Sequence, residues 1–497
     1  MHIFFSCGNA PGLPTGYGGQ GLLAVQGFEK YGCRTTILAW NLTLPTFQPF
    51  QEYTTEDVIR MSPQMASILA TENAASVNWG AIRWYSNPYT QFPCAIRKAD
   101  LNRMILQSKA DVFVALQDIF MFEPGPFACI SAVWMPLHFI PVEHPTILSL
   151  SDFDIQLPIS GWGAALLYPL QSQGHDTWRH IDVLAHGRDL QVYTPDKQQD
   201  NERRLVRQEW GWPEDAIVVL MVASNSEESG RKAFDAQFQG FVRFAKKEPN
   251  AWLHVHSEIA RAYDLGRLLE TFGEFPTRSS WTDKQDSRVR THREAIIRGR
   301  HCSVSSAQRL MNTSEKEMAA LYRSADILLA ATCSEGCGVP ILEAQLCGTP
   351  VVTTKATAMW EETHLGISVQ PKQYIARMDF NSGWMLPDAD GICDALIAIS
   401  SWTDLDERRQ QALPLLRKQY GNETIVQGWC TILEKIETDQ LRLGEKRKTY
   451  ISVLKDYAKR YHILEELEIS CKEKEAMFFQ HYNSTMIKDY VSNVSQQ

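Results

Sequence analysis

The sequence predicts an α/β protein built of two doubly wound, Rossmann-like domains facing a cleft, with a helical extension at the C-terminal end. Three observations carry this. Short continuous apolar runs alternate with helix-like stretches through both halves of the chain, and such runs suit strands buried on both faces of a parallel sheet. A polar stretch containing Tyr193-Thr194-Pro195-Asp196-Lys197-Gln198 separates the halves. The length, 497 residues, accommodates two or three domains at roughly 100–200 residues each.

In order along the chain, residues 2–7 read as a first strand, followed by a glycine-rich turn and an amphipathic helix over 21–31. Runs at 35–40, 111–116, 146–150 and 181–184 read as further strands of an N-terminal domain expected over 1–190, with an interdomain linker over 191–215. The alternation restarts at 216–223 and continues at 252–256, 325–330 and 351–354, which predicts a second domain over 216–403. Residues 404–440 are helical in character and are expected to pack back across the domains. The charged, proline-free stretch 441–497 reads as an appended helical tail for packing or partner contact, oligomerisation included.

Composition excludes several classes. With 49 Lys and Arg against 58 Asp and Glu the net charge is −9, which disfavours wrapping of nucleic acid phosphates. No run approaches the roughly 18–20 apolar residues of a membrane helix. The start reaches a glycine-rich segment before an apolar signal region forms, and the 11 cysteines include no C-x-x-C pair. A cytoplasmic, reduced protein without disulfide framework or zinc knuckle is the expectation.

Two segments carry chemistry. Gly12-Leu13-Pro14-Thr15-Gly16-Tyr17-Gly18-Gly19-Gln20-Gly21 lies between the first strand and helix. Glycines there let backbone approach a ligand, a role for which Gly18 and Gly19 are the candidates. No Gly-Lys-Ser/Thr follows, so this is not a Walker loop. The second segment runs from Ser334-Glu335-Gly336-Cys337-Gly338-Val339-Pro340 through Glu343 to Gly348-Thr349-Pro350. It reads as loop, short helix and strand, with Pro340 at the helix start and Gly348 past its end. Glu335 is placed in the loop and Glu343 in the first helical turn, at the sheet edge where open α/β folds bind ligands. Two carboxylates there suit sugar or ribose hydroxyls; Glu343 could equally complement the helix dipole.

Glu335 and Glu343, spaced as E-x7-E among Gly336, Gly338, Val339 and Pro340, resemble the signature of the retaining family 4 glycosyltransferases of GT-B fold. Ala185-His186-Gly187-Arg188-Asp189, Tyr322-Arg323-Ser324-Ala325-Asp326 and Thr357-Ala358-Met359-Trp360-Glu361 resemble further segments of that family in the same order, Trp360 standing where the family has proline. The likeness covers roughly residues 1–435 and leaves the tail outside it. The resemblance implies transfer of a sugar from a nucleotide-sugar donor, UDP- or GDP-linked, to an acceptor hydroxyl with retention of configuration. A glycan is the first acceptor; a hydroxymethylated DNA base, or a non-catalytic binding role, is the alternative. No metal or other cofactor is implied.

By the same resemblance Arg231 and Lys232 form the diphosphate clamp, Glu335 meets the donor sugar, Glu343 holds the ribose, and Gly336, Gly338 and Val339 line the donor. It would also make the approach at Gly18 and Gly19 a contact with the donor's phosphate and sugar. A first-domain residue beside the donor sugar is sought in Met135-Pro136-Leu137-His138-Phe139-Ile140-Pro141-Val142-Glu143-His144. His138, Glu143 and His144 are candidates, with His144 favoured. Asp152-Phe153-Asp154 fits the D-x-D pattern of metal-dependent transferases, but so do two other places in the chain. The Arg-rich run over 278–301 offers an anionic-acceptor contact or a solvated loop.

Overall fold

The computed structural model describes residues 1–438, except 14, 41–47, 49, 72–73, 87–95, 124, 126, 143–145, 147–148, 151, 173–179, 196–198, 227–229, 259–261, 273–301, 305–312 and 378–381. The predicted tail, the Arg-rich run and both Glu143 and His144 thus lie outside the described residues.

Every residue of the first strand, β1 (His2–Cys7), is buried, as its unbroken apolar run requires of a central strand. Around it β2 (Arg34–Ala39), β3 (Glu52–Thr54), β4 (Arg83–Ser86), β5 (Val112–Leu116), β6 (Ile130–Met135), β7 (Ile155–Pro158) and β8 (His180–Ile181) form an eight-stranded sheet. Its order is β3-β4-β2-β1-β5-β6-β7-β8, with Phe5 of β1 flanked by Ile37 and Val114. Only the edge pair β3–β4 is antiparallel. This is the N-lobe.

The C-lobe sheet contains β9 (Ile217–Val222), β10 (Ala251–His256), β11 (Cys302–Val304), β12 (Ile327–Ala330), β13 (Val351–Thr354) and β14 (Gly366–Val369). All its pairs are parallel in the order β11-β10-β9-β12-β13-β14. An antiparallel hairpin, β15 (Pro371–Arg377) and β16 (Ser382–Pro387), follows it.

Three expected elements differ. Of the run read as a strand over 181–184 only Ile181 belongs to one, β8, and 182–184 have no regular structure. Residues 146, 149 and 150 are helical, and the strand falls at β7 instead; Gln156 within that strand obscured its apolar pattern, although its side chain is buried and donates to the Leu150 carbonyl at 3.0 Å. The linker region holds a helix (Gln199–Trp210) docked onto the C-lobe, where Arg207 bonds the carbonyls of Pro213, Glu214 and Ala216 and the carboxylate of Asp326. Its polarity reflects a solvated helix face, not an open connection.

The helices that position the site are α1 (Gly16–Lys30), α2 (Gly161–Ser172), α3 (Phe234–Lys247), α4 (Glu315–Ser324), α5 (Val339–Leu346), α6 (Thr357–Glu362), α7 (Leu405–Tyr420) and α8 (Asn422–Glu437). The last returns to the N-lobe. Trp429 of α8 meets Phe28 of α1 edge-on at 5.0 Å and Trp134 of β6 at 5.4 Å. Gly27 makes this approach possible, since a Cβ there would lie 2.6 Å from the Trp429 Cβ. The outbound and returning crossings between lobes pair directly: Arg188 donates its N–H to the Tyr420 carbonyl at 2.7 Å, and its carbonyl accepts from Asn422 at 3.1 Å.

The lobes also meet at the cleft edge. Ile140, in the loop after β6, donates to the Gly383 carbonyl of β16 at 3.0 Å, and Tyr374 of β15 donates to the Ile140 carbonyl at 2.8 Å. Phe139 stacks on Trp384 with ring centroids 5.6 Å apart. On the other side, the amides of Gly161 and Trp162 at the start of α2 donate to the Glu361 carboxylate at 2.9 and 2.6 Å. A carboxylate at a helix N-terminus satisfies donors the helix cannot pair itself.

Candidate active site

The signature loop connects β12 to α5. Pro340 occupies the first turn of α5, where a missing N–H costs nothing. Gly348 follows the helix with φ +81°, the left-handed conformation that glycine adopts freely. Glu335 sits in the loop, and its N–H donates to the Thr357 hydroxyl at 3.1 Å. Thr357 itself has φ +52°, unusual for a β-branched residue and a form of strain found where surrounding contacts over-determine a site.

Arg231 and Lys232 lie in the turn before α3. Gln237 of α3 fixes that turn from below: its amide donates to the Lys232 carbonyl at 2.7 Å and accepts from Ala331, just past β12, at 3.1 Å. The basic pair and the signature loop are thereby brought together. Arg231 contacts Glu335 Oε2 at 2.9 Å and Lys232 contacts Oε1 at 2.7 Å. Arg231 also donates to the Ser334 carbonyl at 2.9 Å. These side chains are only 13% (Glu335, Arg231) and 18% (Lys232) exposed. Burial alone would raise the Glu335 carboxyl, but Lys232 and then Arg231 hold it down at about 2. The trio of one anion and two cations carries a net positive charge at the sheet edge.

From the N-lobe, Tyr17 is close enough to feel the charge of Arg231. Burial, then Asp118 through charge and a hydrogen bond, pushes its phenol well above the usual range, and Arg231 acts on it from the opposite lobe. Sequence reasoning missed Tyr17 and Asp118 because their partnership spans about a hundred residues. Tyr17 stood inside the glycine-rich segment, which is the signal that could have found it.

Three site expectations are corrected in placement. Gly18 and Gly19 lie in the first turn of α1, capped by the Thr15 hydroxyl accepting from Gly18 N–H at 3.0 Å, and not in an open turn. A Cβ at Gly18 would fall 2.3 Å from the Leu13 carbonyl oxygen, so this glycine serves the chain's own close approach; Gly19 faces open space. Glu343 lies in the second turn of α5, because the helix begins at Val339. Its Oε2 accepts from Tyr322 at 2.8 Å and its Oε1 lies 3.1 Å from Arg188 Nε. Tyr193 is a further hydrogen-bond partner.

Gly336 packs against the N-lobe, where a Cβ would meet Pro136 at 2.7 Å, while Gly338 donates to Glu362 at 2.9 Å. Val339 opens α5. The His138 carbonyl accepts from the Ser334 hydroxyl, which brings that loop beside Glu335. Asp152 and Asp154 accept backbone amides, from Gly125 at 2.6 Å and Ser131 at 3.0 Å. Among the described residues no group of three His, Cys, Asp or Glu side chains is arranged to hold a metal ion.

Residues 289–399, which contain the whole signature loop, match the family model "Glycosyl transferases group 1". A D-inositol 3-phosphate glycosyltransferase of Paenarthrobacter aurescens is 28% identical over 174 residues, 35% of this chain and 35% of that protein. The match therefore spans about a third of that relative's length. Among solved structures, sucrose-phosphate synthase from Thermosynechococcus elongatus superposes with a TM-score of 0.57 at 12% identity, covering 88% of this chain and 100% of the other. The structure described as "Trehalose-6-phosphate from E. coli bound with UDP-2-fluoro glucose" superposes with a TM-score of 0.56 at 12% identity, covering 88% and 98%. The fold is GT-B: two lobes with parallel sheets, closed by C-terminal helices.

Proposed function

We propose that this chain is a glycosyltransferase that moves a sugar from a UDP- or GDP-linked donor to an acceptor hydroxyl with retention of configuration and without a metal ion. The observation that carries the reading is the largely buried Glu335–Arg231–Lys232 cluster beside the signature loop. The group 1 match over the C-lobe supports it.

Two cations against one carboxylate leave charge to attract a nucleoside diphosphate. On departure of the sugar, Arg231 and Lys232 stabilise the charge growing on the leaving phosphate, the role a metal fills in other transferases. Glu335, gripped between them, is positioned for donor-sugar hydroxyls, and Glu343 for the ribose. Two donors already face Glu343, from Tyr322 and Tyr193, and a carboxylate accepts about four hydrogen bonds, so it keeps acceptor capacity for a ribose hydroxyl. The departing phosphate receives the acceptor's proton, and a glycan is the acceptor favoured. His144 retains its proposed place beside the donor sugar.

The experiment is calorimetric titration with UDP and GDP, then with their sugar conjugates, followed by transfer assays in excess EDTA. Binding of one nucleotide and transfer that survives chelation are expected. Loss of transfer in EDTA with rescue by Mn²⁺ or Mg²⁺ overturns the metal-independent mechanism; failure to bind any nucleotide overturns the transferase reading.

A further inference from the structure

Arg188 stands where the two crossings between the lobes are bonded to each other, pairing with Gly421 as an isolated parallel bridge. Its backbone belongs to that junction, yet its side chain reaches into the signature helix. Nε lies 3.1 Å from Glu343 Oε1, with the Arg188 and Glu343 side chains 8% and 12% exposed. One guanidinium nitrogen donates to the Gly187 carbonyl at 2.6 Å. Nε, although close to the carboxylate, is not aligned for a hydrogen bond and has no other partner. The contact is therefore electrostatic, and orientation comes from Tyr322 and Tyr193.

A buried carboxylate without a cation is costly and tends to take up a proton. We propose that Arg188 is a positioning residue for Glu343, holding that carboxylate in its charged form from the crossing between the lobes while Tyr322 and Tyr193 orient it. The proposal rests on the glycosyltransferase reading, in which Glu343 meets the donor's ribose. Burial raises the Glu343 carboxyl and Arg188 opposes the rise, ahead of Tyr322 and Tyr193. Cys347, at the end of the same helix, also faces Glu343. Arg188 in turn lies in the field of Tyr193, Cys337, Glu315 and His186. Of these groups only Arg188 supplies a positive charge to Glu343.

The test is binding of a nucleotide sugar across pH. UDP-glucose and GDP-mannose serve as probes because a doubly esterified diphosphate has no titrating proton between about pH 5 and pH 9. Wild type is expected to hold its affinity down to mildly acidic pH. Arg188→Met keeps the side-chain length and removes the charge. Its affinity should begin to fall at a pH higher by about one unit, declining about tenfold per further unit. Arg188→Lys should move that midpoint back toward wild type, and Arg188→Met with Glu343→Gln should lose the pH dependence altogether.

Affinity that drops equally at every pH in Arg188→Met, with the midpoint unmoved, overturns the proposal and leaves Arg188 a packing residue. If Arg188→Met does not fold, Glu343→Gln against wild type decides: the acidic decline must disappear, and its persistence places the titration elsewhere and overturns the proposal. Wild-type protein that binds neither probe overturns the glycosyltransferase reading itself, an outcome distinct from an unmoved midpoint.

Discussion

Glu335 is the residue on which the site's charge balance turns. Replacing it with Gln removes charge-assisted bonds to Arg231 and Lys232, each of the class worth about 1.5–3 kcal/mol. On the proposed mechanism, Glu335→Gln lowers kcat by roughly ten- to a hundredfold. It leaves affinity for free nucleoside diphosphate unchanged or improved, because the two cations are no longer shared. Steady-state kinetics beside calorimetry checks both. The same group makes stability depend on pH. Its folded value of about 2 lies below the unfolded value of about 4.3, so its contribution is complete above the latter and lost as pH falls toward the former. The stability gap between wild type and Glu335→Gln should therefore narrow in acid, as denaturant titrations would show. Glu362 has the opposite sign. Burial raises it to about 8, above the unfolded value of about 4.3, so its favourable contribution is complete below the latter and lost progressively as pH rises toward the former; Glu362→Gln should raise Tm relative to wild type more at about pH 9 than at about pH 4. Residues of this kind differ in how visible they are in a sequence. Glu335, Gly336, Gly338 and Pro340 are neighbours along the chain, so their geometry is local and legible. The Arg188–Glu343 contact joins residues 155 positions apart (343 − 188), and Tyr17–Asp118 joins different βα units. Such pairs exist only once the sheet order is known.

Among the elements, the hairpin β15–β16 and the returning helix α8 have the clearest packing consequences. Trp384 of β16 holds Phe139 of the other lobe against the buried cluster of Ala233, Ala236 and Cys333. Phe or Trp truncations of this kind cost about 3–5 kcal/mol in a core. Here part of the cost falls on the interlobe contact, so Trp384→Ala should increase proteolytic cleavage near residues 138–141 and raise the donor KM more than it lowers kcat. Gly27→Ala tests the α1–α8 interface. The added methyl meets the Trp429 Cβ at 2.6 Å, and overpacking of this sort costs about 1–3 kcal/mol, measurable as a shift in the denaturation midpoint. The central strands were readable as unbroken apolar runs because parallel strands are covered on both faces. The hairpin was not, because Pro371–Arg377 is mostly exposed or half-buried and lacks an apolar run. The helix Gln199–Trp210 was read as a linker for a related reason: its solvated face dominates its composition.

At the scale of the whole molecule, the N-lobe is finished by a helix that follows the entire C-lobe in sequence. Phe28, Trp134 and Trp429 form one aromatic contact network, whose members are contributed by α1, β6 and α8. A fragment ending near residue 190 would lack Trp429 and expose the groove at Gly27, so it should be poorly soluble alone and rescued by a peptide carrying residues 422–437. Light scattering of the fragment with and without that peptide measures this. The same connectivity governs the order of events on the ribosome. The first eight strands emerge long before the helix that covers their aromatic face, and elongation at about 5–20 residues per second leaves that face bare for the more than two hundred residues between Leu190 and Asn422. The nascent N-lobe must wait through the synthesis of its neighbour with an apolar groove open to water, and slow codons placed within the C-lobe would lengthen that exposure rather than relieve it.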